Sequence, residues 1–197
     1  MSFLVLKKLS PWQRTAFCAA LLERMLPNYV MFSQAVEFGD SKVLRNQLDL
    51  LWQKLADRAI KINGEAQLVK LEAQIPEPKQ FDFFGVYPAL DTCMALTALL
   101  QGGQESGFEH IEQVSRLSQN SVSSYVELML AQELEPQDDI TLSADDIAQH
   151  PLMEWELATQ QELYDFLLAN KENKQTCQQL KALALSEGLS NLGIEIS

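Results

Sequence analysis

Residues 81–100 read FDFFGVYPALDTCMALTALL. The stretch starts as an aromatic loop, passes through Gly85 and Tyr87-Pro88, and then carries only Asp91, Thr92 and Thr97 as polar residues before Gln101. A helix that is apolar nearly all round is one enclosed by other helices. The segment from about 88 to 101 therefore reads as the buried central helix of an all-α bundle, with the rest of the chain packed around it.

Upstream, Ser10, Pro11 and Gln13 form a helix start, a capping residue followed by proline at the first helical position and the glutamine of a capping box. The helix is expected to run to about Leu26. Pro27 is then expected to open a second, short helix closed by Gly39 in a left-handed cap, and Asp40 or Ser41 to cap a third. That third helix, about 42 to 62, carries Leu44, Leu48, Leu51, Trp52, Leu55 and Ala59 at helical spacing. Asn63-Gly64 breaks it, a fourth helix runs to Ile75, and the prolines of IPEP stop that one.

Downstream, Gly102-Gly103 ends the central helix. From Phe108 to Glu133 the residues Ile111, Val114, Ser118, Ser121, Val122, Tyr125 and Met129 keep one helical phase, which predicts a long helix with small side chains where a neighbour approaches; a break near Asn120 is the alternative. An acidic connector, ELEPQDDITLSADD, follows, with Ser143 and Asp146 marking a capped start. Pro151 begins an amphipathic helix through Trp155, Leu163, Phe166 and Leu167, and a last helix covers about 174 to 186, ended by Gly188. About eight helices in a single domain spanning 1–197 result.

Composition agrees. Hydrophobic residues make up 47% and charged residues 21%, with only 8 glycines and 7 prolines, which suits a globular helical chain and not a disordered or fibrous one. No run approaches the roughly 18 apolar residues of a membrane span, and no secretory leader is recognisable, so a soluble cytoplasmic protein is expected. The three cysteines, Cys18, Cys93 and Cys177, are far apart and read as buried reduced thiols. Net charge is −12, unevenly placed: residues 1–75 carry 10 basic and 7 acidic side chains, residues 76–197 carry 5 and 20. Nucleic acid and anionic membranes demand basic surfaces, so both are disfavoured as partners.

The chemistry is sparse. His110 and His150 lie outside any metal-binding spacing, and there is no nucleophile elbow, P-loop or dinucleotide fingerprint, so no catalytic residue, metal or cofactor is assigned. The charged residues at the edges of apolar stripes, with Tyr87 at the start of the central helix, are the candidates: Glu23, Arg24, Arg45, Asp49, Asp82, Tyr87 and Asp91. Buried charges are usually paired, so the acids and arginines among them are expected to include interhelical salt bridges, with a ligand pocket or a catalytic carboxylate pair as alternatives. Tyr87 occupies the expected cap position of the central helix, which leaves open that amides around GVYPAL bind an anion.

These residues carry a resemblance. WQ..F and ERMLPNY between Trp12 and Tyr29, FGD at 38–40, R..LDLLW at 45–52, FDFFGVYPALDTCMAL at 81–96 and SNLGI at 190–194 resemble the YjaG-like family of bacterial proteins, defined as a domain of unknown function. The resemblance implies a small soluble helical protein and transfers no activity, although every candidate residue falls inside a family-like stretch, and Tyr29, within ERMLPNY, joins the candidates on that ground. The expectation is thus a non-enzymatic interaction module, with a homodimer also compatible, whose acidic second part meets a basic protein partner. A small-molecule or enzymatic pocket at the start of the central helix is the alternative.

Overall fold

Ser10 starts the first helix as the sequence requires: its hydroxyl accepts from Gln13 N at 3.1 Å while the Gln13 side chain accepts from Ser10 N at 2.9 Å. The computed structural model of the chain describes residues 6–102, 108–133 and 143–196. Eight α-helices lie among these residues: α1 Pro11–Val36, α2 Ser41–Ala56, α3 Gly64–Glu72, α4 Val86–Gly102, α5 Phe108–Glu133, α6 Ala144–Ala148, α7 Pro151–Ala169 and α8 Lys174–Ala184. Short 3-10 turns at Leu6–Lys8 and Pro78–Gln80 complete them. The bundle is all-α; the tail beyond α8 adds an isolated antiparallel bridge between Leu189 and Glu195.

Pro27 does not divide α1, contrary to expectation. It sits inside one continuous 26-residue helix. Proline removes an N–H from the ladder and loosens the turn before it, and here other elements supply donors to that turn. Asn191 N donates to the Arg24 carbonyl at 3.1 Å, and the Thr92 hydroxyl, which bonds its own Pro88 carbonyl at 2.8 Å, lies 3.2 Å from the Met25 carbonyl and shares its proton with it. The left-handed cap also moves: Glu37 takes it, at φ 53°, and Gly39 follows at φ 69°. Glu37→Gly is accordingly expected to raise stability by about 0.5–1 kcal/mol, read as a higher denaturation midpoint.

Other boundaries shift: α3 stops at Glu72 and α8 at Ala184, both short of the expected ends. α2 ends at Ala56, so Ala59 lies outside it and is exposed; the Asp57 carboxylate accepts from Ala59 N at 2.9 Å, a local turn that competes with the helix. α4 begins at Val86, which places Tyr87 inside the first turn and not at its cap. The N–H groups of Val86, Tyr87 and Ala89 donate to the carbonyls of Phe83, Phe84 and Gly85, so these three amides are already committed within the chain. α5 runs unbroken through its serines, and the 134–142 part of the acidic connector lies outside the described residues.

The centre of the bundle is shared. α4 packs against α1, α3 and α5, while α1 meets α2, α4, α5, α7 and α8. Phe17, Leu21, Met25, Tyr29 and Phe32 of α1, Leu44 and Leu48 of α2, Leu96 of α4 and Leu163 of α7 belong to one apolar cluster, each side chain worth roughly 1.5–3 kcal/mol on burial. A smaller cluster joins Val122 and Val126 of α5 to Met153 of α7 and Leu192 of the tail. The loop before α4 is fixed by its rings: Phe81 meets Phe32 edge-on at 5.1 Å and Phe83 stacks on Phe32 at 6.4 Å and 11°.

Cys18, Cys93 and Cys177 are free and buried. Burial pushes all three thiols up, Cys177 to about 11, which makes them poor nucleophiles. Among the described residues no helix is long and apolar enough to cross a membrane.

Candidate functional site

The candidate residues do not converge on one place. Glu23 of α1, Arg45 and Asp49 of α2 and Lys181 of α8 form one network. The Glu23 carboxylate accepts both terminal nitrogens of Arg45, at 2.7 and 2.8 Å, and also Trp52 Nε1 at 2.7 Å and Lys181 Nζ at 3.1 Å. Asp49 Oδ1 accepts from Arg45 at 2.7 Å and lies 3.4 Å from Lys181. Two acids thus face two bases, and Glu23 is 3% exposed. A bidentate arginine pair with its lone pairs otherwise filled is a rigid connector of helices, and the hydrogen bonds from Arg45 to Glu23 and Asp49 hold its guanidinium charged against the opposing effect of its burial.

Arg24, one residue on, faces another side of α1 and belongs to a second network. It bonds Glu156 of α7 at 3.1 Å, and its guanidinium lies 4.2 Å from the centre of the Trp155 ring. Glu156 also accepts from the Ser118 hydroxyl at 2.6 Å and Gln160 Nε2 at 2.8 Å. Gln160 in turn accepts from Ser115 at 2.7 Å and Gln119 at 3.1 Å. Asn191 of the tail closes the set: it donates to the Ser118 carbonyl and hydroxyl at 3.2 and 3.1 Å and accepts from Asn28 at 2.7 Å. The serines of α5 are small, as close packing predicts, but several of them are also partners for buried polar groups.

Tyr29 is buried, its hydroxyl donating to the Gln74 carbonyl at 2.9 Å, and desolvation raises its phenol well above the ordinary range. Tyr87 and Asp91, one turn apart on α4, lie at the α4–α5 seam. There Phe84 contacts the rings of Tyr87 and Tyr125, each at 6.0 Å between centroids, and Ser121, one turn before Tyr125 on α5, donates to Asp91 at 2.8 Å. Tyr87 is 52% exposed and Phe83, just before this group, 38%; Asp82 beside Phe83 is exposed as well.

Asp91 differs from the other half-buried or buried acids. Among the described residues no basic side chain comes within 4 Å of it. Burial disfavours its charged form more than the Ser121 hydrogen bond supports it, and its carboxyl is raised to about 6. The folded chain therefore binds this proton more tightly than the unfolded chain, so ionising Asp91 lowers stability as pH rises from about 4 to 6. Asp91→Asn is expected to raise Tm at pH 7.5, with the gain disappearing near pH 4, as thermal melts across that range will show.

A cavity of about 610 Å³ opens elsewhere, between α5, α6 and α7, lined by the polar Ser115, Gln119 and Gln160 and the apolar Ile147, Met153 and Leu157. None of the candidate residues lines it. His150 serves as a cap, its Nδ1 accepting from Leu152 N at 3.2 Å. Glu156, Lys181, Ser118 and Asn191 carry much of the polar architecture and were not among the candidates, nor was Tyr125, whose ring meets Phe84. Their signal was weak: each looks like an ordinary helix or tail residue until its partner, far away in the chain, is known.

The molecule is thus an all-α bundle whose first helix is tied to its neighbours by buried ionic networks, with an aromatic and acidic seam beside them. Sequence comparison places it. The chain belongs to the family described as "Protein of unknown function (DUF416)", whose model matches residues 2–195. It is 36% identical over 190 residues to "Uncharacterized protein YjaG" of Escherichia coli strain K12, covering 96% of this chain and 93% of that one. It is 35% identical over 192 residues to an uncharacterized protein of Haemophilus influenzae, covering 96% and 94%. The crystal structure of a DUF416 family protein from Shewanella baltica OS155 superposes with a TM-score of 0.86 at 37% identity, over 97% of this chain and 96% of that one.

Proposed function

We propose that this protein is a non-enzymatic interaction module that receives a basic protein partner. The observation that carries this reading is the exposed aromatic group at the start of α4, where Phe83 and Tyr87 reach solvent next to the carboxylates of Asp82 and Asp91. Exposed aromatic side chains are enriched at recognition surfaces, and the neighbouring carboxylates give this one a negative charge. The charge of residues 76–197, with 20 acidic against 5 basic side chains, would steer a basic partner towards that part of the chain.

The test is a quantitative pull-down from bacterial lysate with tagged protein at low and moderate salt. A near-stoichiometric basic partner lost on raising salt is the expected result. Capture insensitive to salt, and unchanged by neutralising Asp138, Asp139 and Asp145 together, counts against electrostatic recognition. Asp146 is best left intact, because it closes the capping box of α6 with Ser143. Capture of the chain's own copies alone would indicate a homodimer in place of a basic partner.

The cavity between α5, α6 and α7 favours a second reading, a small-molecule site, moved away from the start of the central helix. A thermal-shift screen of metabolites tests it: a hit whose effect is lost on Ser123→Leu would support this reading over the first.

A further inference from the structure

We infer that the seam between α4 and α5, formed by Phe84, Tyr87, Asp91, Ser121 and Tyr125, is a seat for an arginine side chain. This assignment rests on the interaction reading above and gives it a location and a chemistry.

The geometry comes from two helices in register. Tyr87 and Asp91 are four residues apart on α4, and Ser121 and Tyr125 are four apart on α5, so each pair shares a face with neighbouring side-chain origins about 5–6 Å apart. The Ser121–Asp91 hydrogen bond at 2.8 Å joins one end of the two pairs. Phe84, 6.0 Å from both tyrosine rings, joins the other. The result is a shelf of ring surface at one end and a carboxylate at the other.

The carboxylate lacks a cation, and this points to the occupant. Glu23 and Glu156, the buried acids, each hold an arginine at hydrogen-bond distance. Asp91 has a hydroxyl instead, and among the described residues no basic group lies within 4 Å. A partly desolvated, uncompensated charge lowers stability, and such groups are retained where a ligand completes them. The complement must be positive. Ring faces attract cations, and arginine more often than lysine, because the flat guanidinium can stack on a ring while its N–H fork reaches a carboxylate. A lysine ammonium is a strongly hydrated point charge that cannot stack. Tyr87, at 52% exposure, leaves one side of the shelf open to a side chain arriving from solvent.

Within the molecule the Arg24 guanidinium already packs over the Trp155 ring while bonding Glu156. The seam offers the same combination, ring plus carboxylate, with the guanidinium place left for another chain.

The experiment titrates the folded full chain with a short capped peptide of alternating arginine and glycine, its lysine counterpart and its citrulline counterpart, following aromatic and Ser121 resonances by NMR. Citrulline keeps the shape and removes the charge. The arginine peptide is expected to bind at least about tenfold more tightly than the other two and to shift the Tyr87, Tyr125 and Ser121 signals. Asp91→Asn and Tyr87→Ala are each expected to weaken binding about tenfold, with circular dichroism unchanged. Glu65→Gln, exposed on α3, is expected to have no effect.

Equal binding of the citrulline peptide, or no loss with Asp91→Asn, overturns the seat. Equal binding of lysine overturns its arginine chemistry. The pull-down separates the two levels: a salt-sensitive partner that the Asp91→Asn, Tyr87→Ala double variant still captures would keep the interaction reading and overturn the seat. Arginine-peptide binding with no cellular partner at either salt would keep the seat and count against the interaction reading.

Discussion

Arg24→Met is expected to lower the unfolding free energy by about 3–5 kcal/mol, because removing one member of a buried ion pair strands the other. Glu156 is 0% exposed and Arg24 2%, so water cannot take over the lost contact. Ser118 and Gln160 would still donate to the carboxylate, but neutral donors do not cancel a charge, and the packing of the guanidinium over Trp155 would go as well. The matching expectation is that Arg24→Met combined with Glu156→Leu recovers part of that loss, because the stranded charge goes while the buried Ser118 hydroxyl loses its acceptor. Buried pairs often break even against well-packed apolar side chains, and Arg24 Nε is without a hydrogen-bond partner, so this pair is incompletely satisfied. Urea denaturation of the single and double variants measures both. A single variant within about 1 kcal/mol of the parent would show that the carboxylate is tolerated without its arginine.

Asn191→Ala is expected to lower stability by about 2–4 kcal/mol, the second large effect. The asparagine is 0% exposed and its side chain meets α1 through Asn28 and α5 through Ser118. Alanine would leave Asn28 Nδ2 with no acceptor in a site closed to water, and buried unsatisfied groups carry the full penalty of desolvation. Denaturant titration gives the change, and hydrogen exchange gives its location: protection should fall first in the tail and around Pro27. Uniform loss of protection would mean that the tail is not a separately opening unit.

Much of the bundle could be read in the chain because its helix signals are local. Ser10 with Gln13, Ser143 with Asp146 and the apolar phase of α5 act within a few residues, and all three hold. Pro27 misled for the same reason: the local rule says a helix interior rejects proline, and what accommodates it is Asn191 and Thr92, distant in sequence. The end of α2 was misplaced because Asp57 turns the chain back on itself, a choice that Ala59 at helical spacing conceals. For the charged residues, the expectation of interhelical pairing was sound for Glu23, Arg24, Arg45 and Asp49. Their partners Glu156 and Lys181 had no distinguishing pattern, and nothing in the sequence shows that Asp91 would have no base within 4 Å among the described residues while Glu23 has two.

The bonds at Pro27 also order events in time. Arg24 waits for Asn191 on its carbonyl and for Glu156 on its guanidinium, and the Asn28 side chain for Asn191, partners 132 and 163 residues away for the side-chain contacts. During synthesis α1 emerges early, with a weakened turn and a lone cation beside it, and its own sequence supplies neither remedy. Contacts of such long separation form late. The middle of α1 is therefore expected to complete its hydrogen bonding only once the tail has docked against it.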